Sequence, residues 1–542
     1  MKKILYKFLI VLIVGFSTSC NSILDIDPSS SFSEATAWSS EDAVDLYVTS
    51  LYESLKNSTG FATPSLTDGY TDLVKYGNDI AQGYSIHNRV LLQSDFITSS
   101  SNPLSSWGLY TEIRKENVFL KDAPSEGAKF GDDFLKVRMA EIRFIRAFNY
   151  FRMIRVFGGV VIRDEKNGVD AEAQKDKARA TESESWDFVM ADLNYAAENL
   201  PESWNSDWEG RLTKGAAYAL ICRCALYAKR WDVAIDAANK IKELNKYELL
   251  PNYADVFSQP FNKEIIFGIS YSKPQLVHWY DRYFTPKGDN SILGGCATPT
   301  NELVDSYDMA DGTLFSWSTN NSAPYVNREP RFYASILYNG ADWKGRKIET
   351  FIGGADGFVA YKKGQDTHNT TTGYYVKKYL QESNSTFDVD GSDQFWIEFR
   401  YAEVLLNLAE ALAEKDYSAN SSKALAALNE VRSRVNLPGR TLQEAPDKNS
   451  FMVLLRKERV CELALEGFRF WDIRRWHIAG DVINGKMAHG TEIIKNEDGS
   501  FTYNIVDCDA GQSRVFPEKY YLLPIPVDEL NNNSLCENNS PW

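Results

Sequence analysis

Three glutamates, Glu458, Glu462 and Glu466, recur at every fourth residue near the C-terminus, a spacing that lines three carboxylates along one face of a helix. Two carboxylates about 5–9 Å apart can cleave a glycosidic bond when one of them stays protonated as the acid. The same stretch carries Arg456, Arg459, Arg469, Arg474 and Arg475. Guanidiniums at that density hold a carboxylate ionised and deny it the acid's role. The expectation is an ion-pair network that packs the chain, not a catalytic pair.

A second chemistry is suggested by rings. The segment Val277-His-Trp-Tyr-Asp-Arg-Tyr-Phe284 places Trp279, Tyr280, Tyr283 and Phe284 in irregular sequence, with Trp317, Tyr325 and Trp343 following and Tyr70, Tyr76 and Tyr84 in an earlier loop region. A sugar offers an apolar C–H face that stacks on an aromatic ring, and its hydroxyls need polar partners at the edge. Each such contact contributes about 1 kcal/mol beyond area burial, so two or three give micromolar-to-millimolar capture. Trp279, Tyr280, Tyr283 and Trp317 are the first candidates for ligand contact, with Asp72 and Asn78 as polar partners. The competing reading is that many of these rings fill the core of their own lobe.

Other clusters carry less. Asp388, Asp390 and Asp393 supply hard oxygen atoms, but Gly391 comes too early for a calcium-binding EF-hand loop and no Glu closes it. Gly353, Gly354 and Gly357 lack the Lys-Ser/Thr ending of a phosphate loop. The histidines at 87, 278, 368, 477 and 489 have no ligand spacing. No metal or cofactor is expected.

At the other end, Lys2, Lys3 and Lys7 precede the apolar run Phe8–Phe16 and then Ser17-Thr18-Ser19-Cys20. Nine apolar residues make about 13 Å of helix, too short for a hydrocarbon core of about 30 Å, so this is a secretory signal. Small residues before Cys20 resemble a bacterial lipobox, with Ser17 in place of the usual aliphatic residue. Cleavage there leaves Cys20 as a lipidated N-terminus, and multiple acyl chains anchor stably where one does not. Residues 1–19 are therefore read as signal peptide and 20–38 as lipidated tether.

The elements that must position these groups follow from composition and period. Of 542 residues, 44% are hydrophobic and 13% aromatic, which excludes wholesale disorder, and the formal charge of −15 argues against a nucleic-acid partner. Seven cysteines are sparse for a disulfide framework; the six after Cys20 are expected to be mostly free, buried thiols, with Cys222 and Cys224 on different helix faces. Ser39, three residues before Asp42, has the look of a helix cap. Val137–Phe157 is a helix apolar on more than one face and so enclosed by neighbours, with Arg143 and Arg146 reaching nearby carboxylates. Ser183–Asn199, Lys214–Lys229 and Trp231–Leu244 are further helices. Alanines 216, 219, 225, 234 and 238 in the last two suit close helix approach, and the hairpin resembles a tetratricopeptide repeat. Glu398–Glu414 with Ser421–Val435 repeats the pattern, and Phe451–Leu465 with Phe468–His477 is a plausible further pair. Residues 57–106 and 251–395 lose the helical period; Glu264–Ser270 and Arg331–Tyr338 read as short strands.

Five stretches together carry a family resemblance: Ala140–Phe151 ending in Val156-Phe-Gly-Gly, the Arg211–Leu244 hairpin, Arg400-Tyr-Ala-Glu-Val-Leu-Leu-Asn-Leu-Ala-Glu-Ala, Glu458-Arg459 through Gly467-Phe468-Arg469 to Trp476, and Leu523-Pro-Ile-Pro526 leading to Glu529-Leu530. With the lipobox, the chain resembles the SusD/RagB family of outer-membrane nutrient-binding lipoproteins of the Bacteroidetes. It departs at Glu537-Asn538, where Gln-Asn is usual, and at Ser534, where Pro often stands. The resemblance implies a mostly α fold, a tetratricopeptide-like helix-pair scaffold carrying a large irregular loop lobe with a few short strands. It divides the chain into an N-terminal helical region at 39–250, a ligand-binding lobe at 251–395 and a C-terminal helical region at 396–542, in one integrated fold. It further implies a lipid-anchored, surface-exposed protein that is not an enzyme. Such a protein lids a SusC-like TonB-dependent transporter and captures oligosaccharides, or alternatively peptides or another nutrient; a glycoside hydrolase is the remote alternative.

Overall fold

The computed structural model describes residues 34–61, 66–77, 85–166, 168–170, 175–364 and 367–542; the leader with Cys20, together with Asn78 and Tyr84, lies outside them. Helix α1 spans Glu41–Leu51 and is capped by Ser40, whose Oγ accepts from the Ala43 N–H at 3.1 Å. The expected cap at Ser39 is thus one residue early: the Ser39 hydroxyl donates to the Thr36 carbonyl at 2.8 Å. Strand β1 (Val74–Tyr76) follows in the loop region. Helix α2, Tyr110–Glu126, was not expected; its buried face is Ile113, Phe119, Leu120 and Ala123 on an otherwise polar stretch that includes Pro124.

Helix α3 (Asp132–Phe157) is the centre of the scaffold, with Ile142, Phe144, Ile145, Phe148, Phe151 and Met153 all buried. A helix buried around its circumference needs neighbours on every side, and α4 (Glu182–Asn199), α5 (Lys214–Tyr227) and α6 (Trp231–Glu243) stack in succession beside it. Thr181 and Glu184 form a reciprocal capping box at the start of α4. The five alanines of α5 and α6 named above are all buried, which lets the backbones approach. Arg146 reaches Asp192 of α4 at 2.7 Å and Glu165 at 2.7 Å, and Arg143 reaches the same two acids.

Strand β2 (Ile265–Ile269) enters the lobe, and β3 (Ala297–Pro299) pairs antiparallel with β1, Val74 opposite Pro299. Strand β4 (Trp396–Arg400) pairs antiparallel with β2. It takes the residues expected to open a helix at Glu398, because Trp396, Ile397 and Phe399 suit a pleated strand buried on both faces. Helix α7 (Tyr401–Arg434) follows directly and breaks at Asp416, where φ is −167°; the Asp416 carboxylate accepts from Ala419 N–H at 3.2 Å and caps the second half. Helix α7 packs on α6 and on α8 (Lys448–Leu463), continuing the stack. The further pair is only partly a pair: α9, Arg469–Arg475, packs chiefly on the Thr67–Tyr70 turn and the next short helix. Strands β5 (His489–Lys495) and β6 (Phe501–Asp507) form a hairpin. Arg331–Tyr338 is a helix, Pro330–Ser335, with a two-residue strand after it; Pro330 at the first helical position presets the helical φ.

Two large apolar cores result, with a small third cluster of Leu337, Ala341, Trp343, Ile348 and Tyr375. One runs through the helices, the other through the lobe, where Phe61, Val74 and Tyr76 join Tyr280, Phe284, Tyr307, Phe332, Tyr374 and Trp396. The six described cysteines are free and buried. Among the described residues, no helix is long and apolar enough to cross a membrane.

Candidate ligand-binding site

The glutamates sit at the seam between the two cores. Glu458 accepts from Arg331 at 2.6 Å and from Arg432 at 2.7 Å. Glu462 accepts from Arg400 at 2.6 Å, from Arg331 at 3.0 Å and from Arg434. Glu466 accepts from Arg400 at 2.7 Å and Lys378 at 2.6 Å. Burial pushes each carboxyl up, yet the surrounding cations outweigh it and hold all three below the usual carboxylate range, Glu462 furthest. The network was expected; its partners were not. The cations come from the lobe and from β4 and α7, while Arg459 and Arg475 bind Asp472 and Arg469 binds Asp72. Glu466 also lies beyond the last residue of α8, so the three do not share one helix.

The ring candidates fall into two separate sets. In the first, His278 is buried, with its Nε2–H donating to the Gln394 carbonyl at 2.9 Å and its Nδ1 accepting from Tyr280 N–H at 3.1 Å. Burial depresses this imidazole to about 4, so it is neutral and structural. Tyr280 is 2% exposed and packs on Phe284 and Phe61, which corrects its expected ligand role: the ring is core. Trp279 and Tyr283 are half-buried, and Arg282 lies over Trp279 at 5.3 Å while pairing with Asp388 at 3.4 Å. In the second set, the half-buried Trp317 donates its indole N–H to Asp305 at 3.1 Å and stands 5.4 Å from Phe315 and 6.2 Å from Tyr503 of β6. Burial pushes Asp305 up to about 6 against the pull of that indole N–H. Asp72 is already engaged by both ends of the Arg469 guanidinium, at 2.8 and 2.9 Å. No described contact joins Trp279 to Trp317.

Asp305 and Tyr503 were missed by sequence reasoning. Tyr503 was findable, since Phe501, Tyr503 and Ile505 alternate after the Asp498-Gly499 turn; Asp305 carries no local signal. Two cavities also went unforeseen. One, of about 800 Å³, lies in the lobe among Tyr253, Arg328, Tyr333, Lys377, Tyr379 and Glu382. The other, of about 590 Å³, lies between the N-terminal loops and the scaffold. Neither is lined by Trp279, Tyr280, Tyr283, Trp317 or Asp72. Among the described residues, no group of three or more His, Cys, Asp or Glu is placed to hold a metal ion.

A family model described as "SusD family" matches residues 263–542, just over half of the chain. The chain belongs to the SusD family. A second SusD-like family model, described as "Starch-binding associating with outer membrane", matches residues 23–226. Among curated SusD relatives, "SusD-like protein P25" of Formosa agariphila is 25% identical over 89% of this chain and 90% of its own length. A SusD-like protein of Bacteroides fragilis has a crystal structure with TM-score 0.80 at 28% identity, covering 94% of this chain and 99% of that one. A second B. fragilis structure, of a SusD-like carbohydrate binding protein, has TM-score 0.77 at 24% identity over 92% and 99% of the two chains. The mostly α SusD-like fold expected from sequence is the fold observed.

Proposed function

We propose that this SusD-family protein captures oligosaccharides at the cell surface and passes them, uncleaved, to a SusC-like TonB-dependent transporter in the outer membrane, to which Cys20 tethers it. The observation that carries the reading is Trp317. Its indole edge is pinned by Asp305, and Phe315 and Tyr503 flank it, so a half-open aromatic face stands ready without ordering cost on binding. Trp279, under Arg282, and Tyr283 offer further ring surface. The kinship with a carbohydrate-binding B. fragilis protein supports a glycan as cargo. Glu458, Glu462 and Glu466 are held ionised among cations and buried, which leaves none of them able to protonate a leaving group.

The test is native electrophoresis of protein beginning at Asn21 through gels cast with a panel of plant, host and microbial polysaccharides. Retardation in at least one gel, with no sugar released after prolonged incubation, is expected. No retardation in any gel, or release of sugar, would contradict the reading. Membrane fractionation of Cys20→Ala checks the anchor: the variant is expected in the soluble exported fraction.

A further inference from the structure

We propose that the cavity of about 590 Å³ between the N-terminal loops and the helical scaffold binds a carboxylate-bearing sugar, with Arg152 and Arg155 of α3 as the groups that hold its anion. Its volume falls in the range of small-ligand sites, about 300–1,000 Å³. Both arginines line it, one helical turn apart, and both are only partly buried. Every other arginine that meets the cavity has a carboxylate: Arg223 binds Glu403 at 2.7 Å and Glu398 at 2.6 Å. Arg152 and Arg155 form no ion pair and donate no side-chain hydrogen bond to any described residue, and Nη1 of Arg152 and Nε of Arg155 are buried without a partner.

The cavity's own carboxylates make no direct ion pair with them, although Glu398 acts on both at longer range. Glu398 is tied to Arg223 and to the Trp396 indole N–H at 3.2 Å, and Glu466 is tied to Arg400 and Lys378. A third cation nearby, Arg474, donates from its two Nη groups to the Tyr520 and Tyr521 carbonyls, leaves its Nε unpartnered and adds positive charge. Burial lowers Arg152 and Arg155 to about 10, which still leaves both charged at neutral pH. A guanidinium nitrogen buried without a hydrogen-bond partner is costly, and a planar guanidinium matches a carboxylate fork.

The rest of the wall suits a sugar ring. Trp471 lies 3.9 Å under the Arg155 guanidinium, which orients it, and Trp396, Tyr70 and Phe468 add aromatic surface while Thr59 and Thr67 add hydroxyls. Gly60 passes so close to Trp396 that a Cβ there would stand 2.6 Å from the ring, so the loop and the wall are fitted to each other. None of the lobe residues proposed for glycan capture takes part. The anion site therefore stands apart from that reading, and only the assignment of a sugar as the anion's carrier rests on it.

The probes are glucuronic acid, glucose and acetate, titrated by isothermal calorimetry and by saturation-transfer NMR against protein beginning at Asn21. Glucuronate is expected to bind at least tenfold tighter than either glucose or acetate. Arg152→Gln and Arg155→Gln are each expected to remove at least tenfold of that affinity, and Arg155→Lys a smaller part. Circular dichroism melting confirms the fold of each variant, and the comparison of three probes on the unaltered protein needs no variant. Equal binding of glucuronate and glucose overturns the anion site. Equal binding of glucuronate and acetate overturns the sugar, and unchanged affinity in both glutamine variants overturns the residues. Polysaccharide gels run on the same variants separate this result from the lobe reading: their retardation is expected to persist on neutral glycans.

Discussion

The scaffold and the lobe each have an apolar core and carry both ring contacts and ion pairs, but in different proportions. In the scaffold, ion pairs bridge one helix to another in Arg146–Asp192, Arg459–Asp472 and Arg475–Glu410, and tie the loop before α5 to α3 in Arg211–Glu141. In the lobe, rings do the joining, with Phe61, His278, Tyr379 and Trp396 in one cluster and Tyr325, Phe332, Tyr338 and Tyr374 in another. Buried charge pairs are directional and tolerate no missing member, whereas aromatic packing accepts several geometries within about 4.5–7 Å. The difference teaches how one molecule keeps a rigid frame while carrying a surface of irregular loops. Between them, Glu458, Glu462 and Glu466 knot the lobe's Arg331 and Lys378 to Arg400, Arg432 and Arg434.

The comparison breaks first at that knot. Glu462→Gln leaves Arg331, Arg400 and Arg434 short of a counter-charge and is expected to cost about 3–5 kcal/mol, read as a lower urea midpoint. Lowering pH acts on the same groups. Their folded pKa values lie below the unfolded reference of 4.5, so their stabilisation is complete above that value and is lost as pH falls through the folded ones. Urea midpoints are expected to decline below about pH 4.5; a midpoint unchanged down to pH 3 would show that the knot contributes nothing. Gly60→Ala forces a methyl group against Trp396 and is expected to cost about 1–3 kcal/mol by thermal melting. Ser40→Ala removes the α1 cap, about 1 kcal/mol. Trp317→Ala, in the lobe, is expected to leave unfolding nearly unchanged and to lose about 1 kcal/mol of glycan binding, roughly fivefold.

The scaffold was legible because its helices carry a 3.6-residue period that burial preserves: α3, α4, α5 and α6 begin and end within five residues of their expected bounds. Helix α2 escaped because the polar Glu116 and Asn117 interrupt its buried face and Pro124 lies within it, and β4 because a buried strand feeding straight into a helix shows no break. The lobe was illegible for a physical reason. Arg331 lies 127 residues before Glu458 and 131 before Glu462, and Tyr503 meets Trp317 across a hairpin from another part of the chain. Pairings at that separation leave no local pattern. Rings alone did not tell platform from core either: Tyr280 and Trp279 are adjacent, and only the fold buries one and half-exposes the other.

The central claim, that the Trp317 platform of the lobe captures the polysaccharide, is tested most directly by Trp317→Ala in whichever polysaccharide gel retards the unaltered protein. With the melting temperature unchanged, the variant is predicted to be retarded clearly less than the unaltered protein, in step with a roughly fivefold weaker affinity. Retardation equal to that of the unaltered protein would contradict the account, and would move the glycan site away from the Trp317 platform.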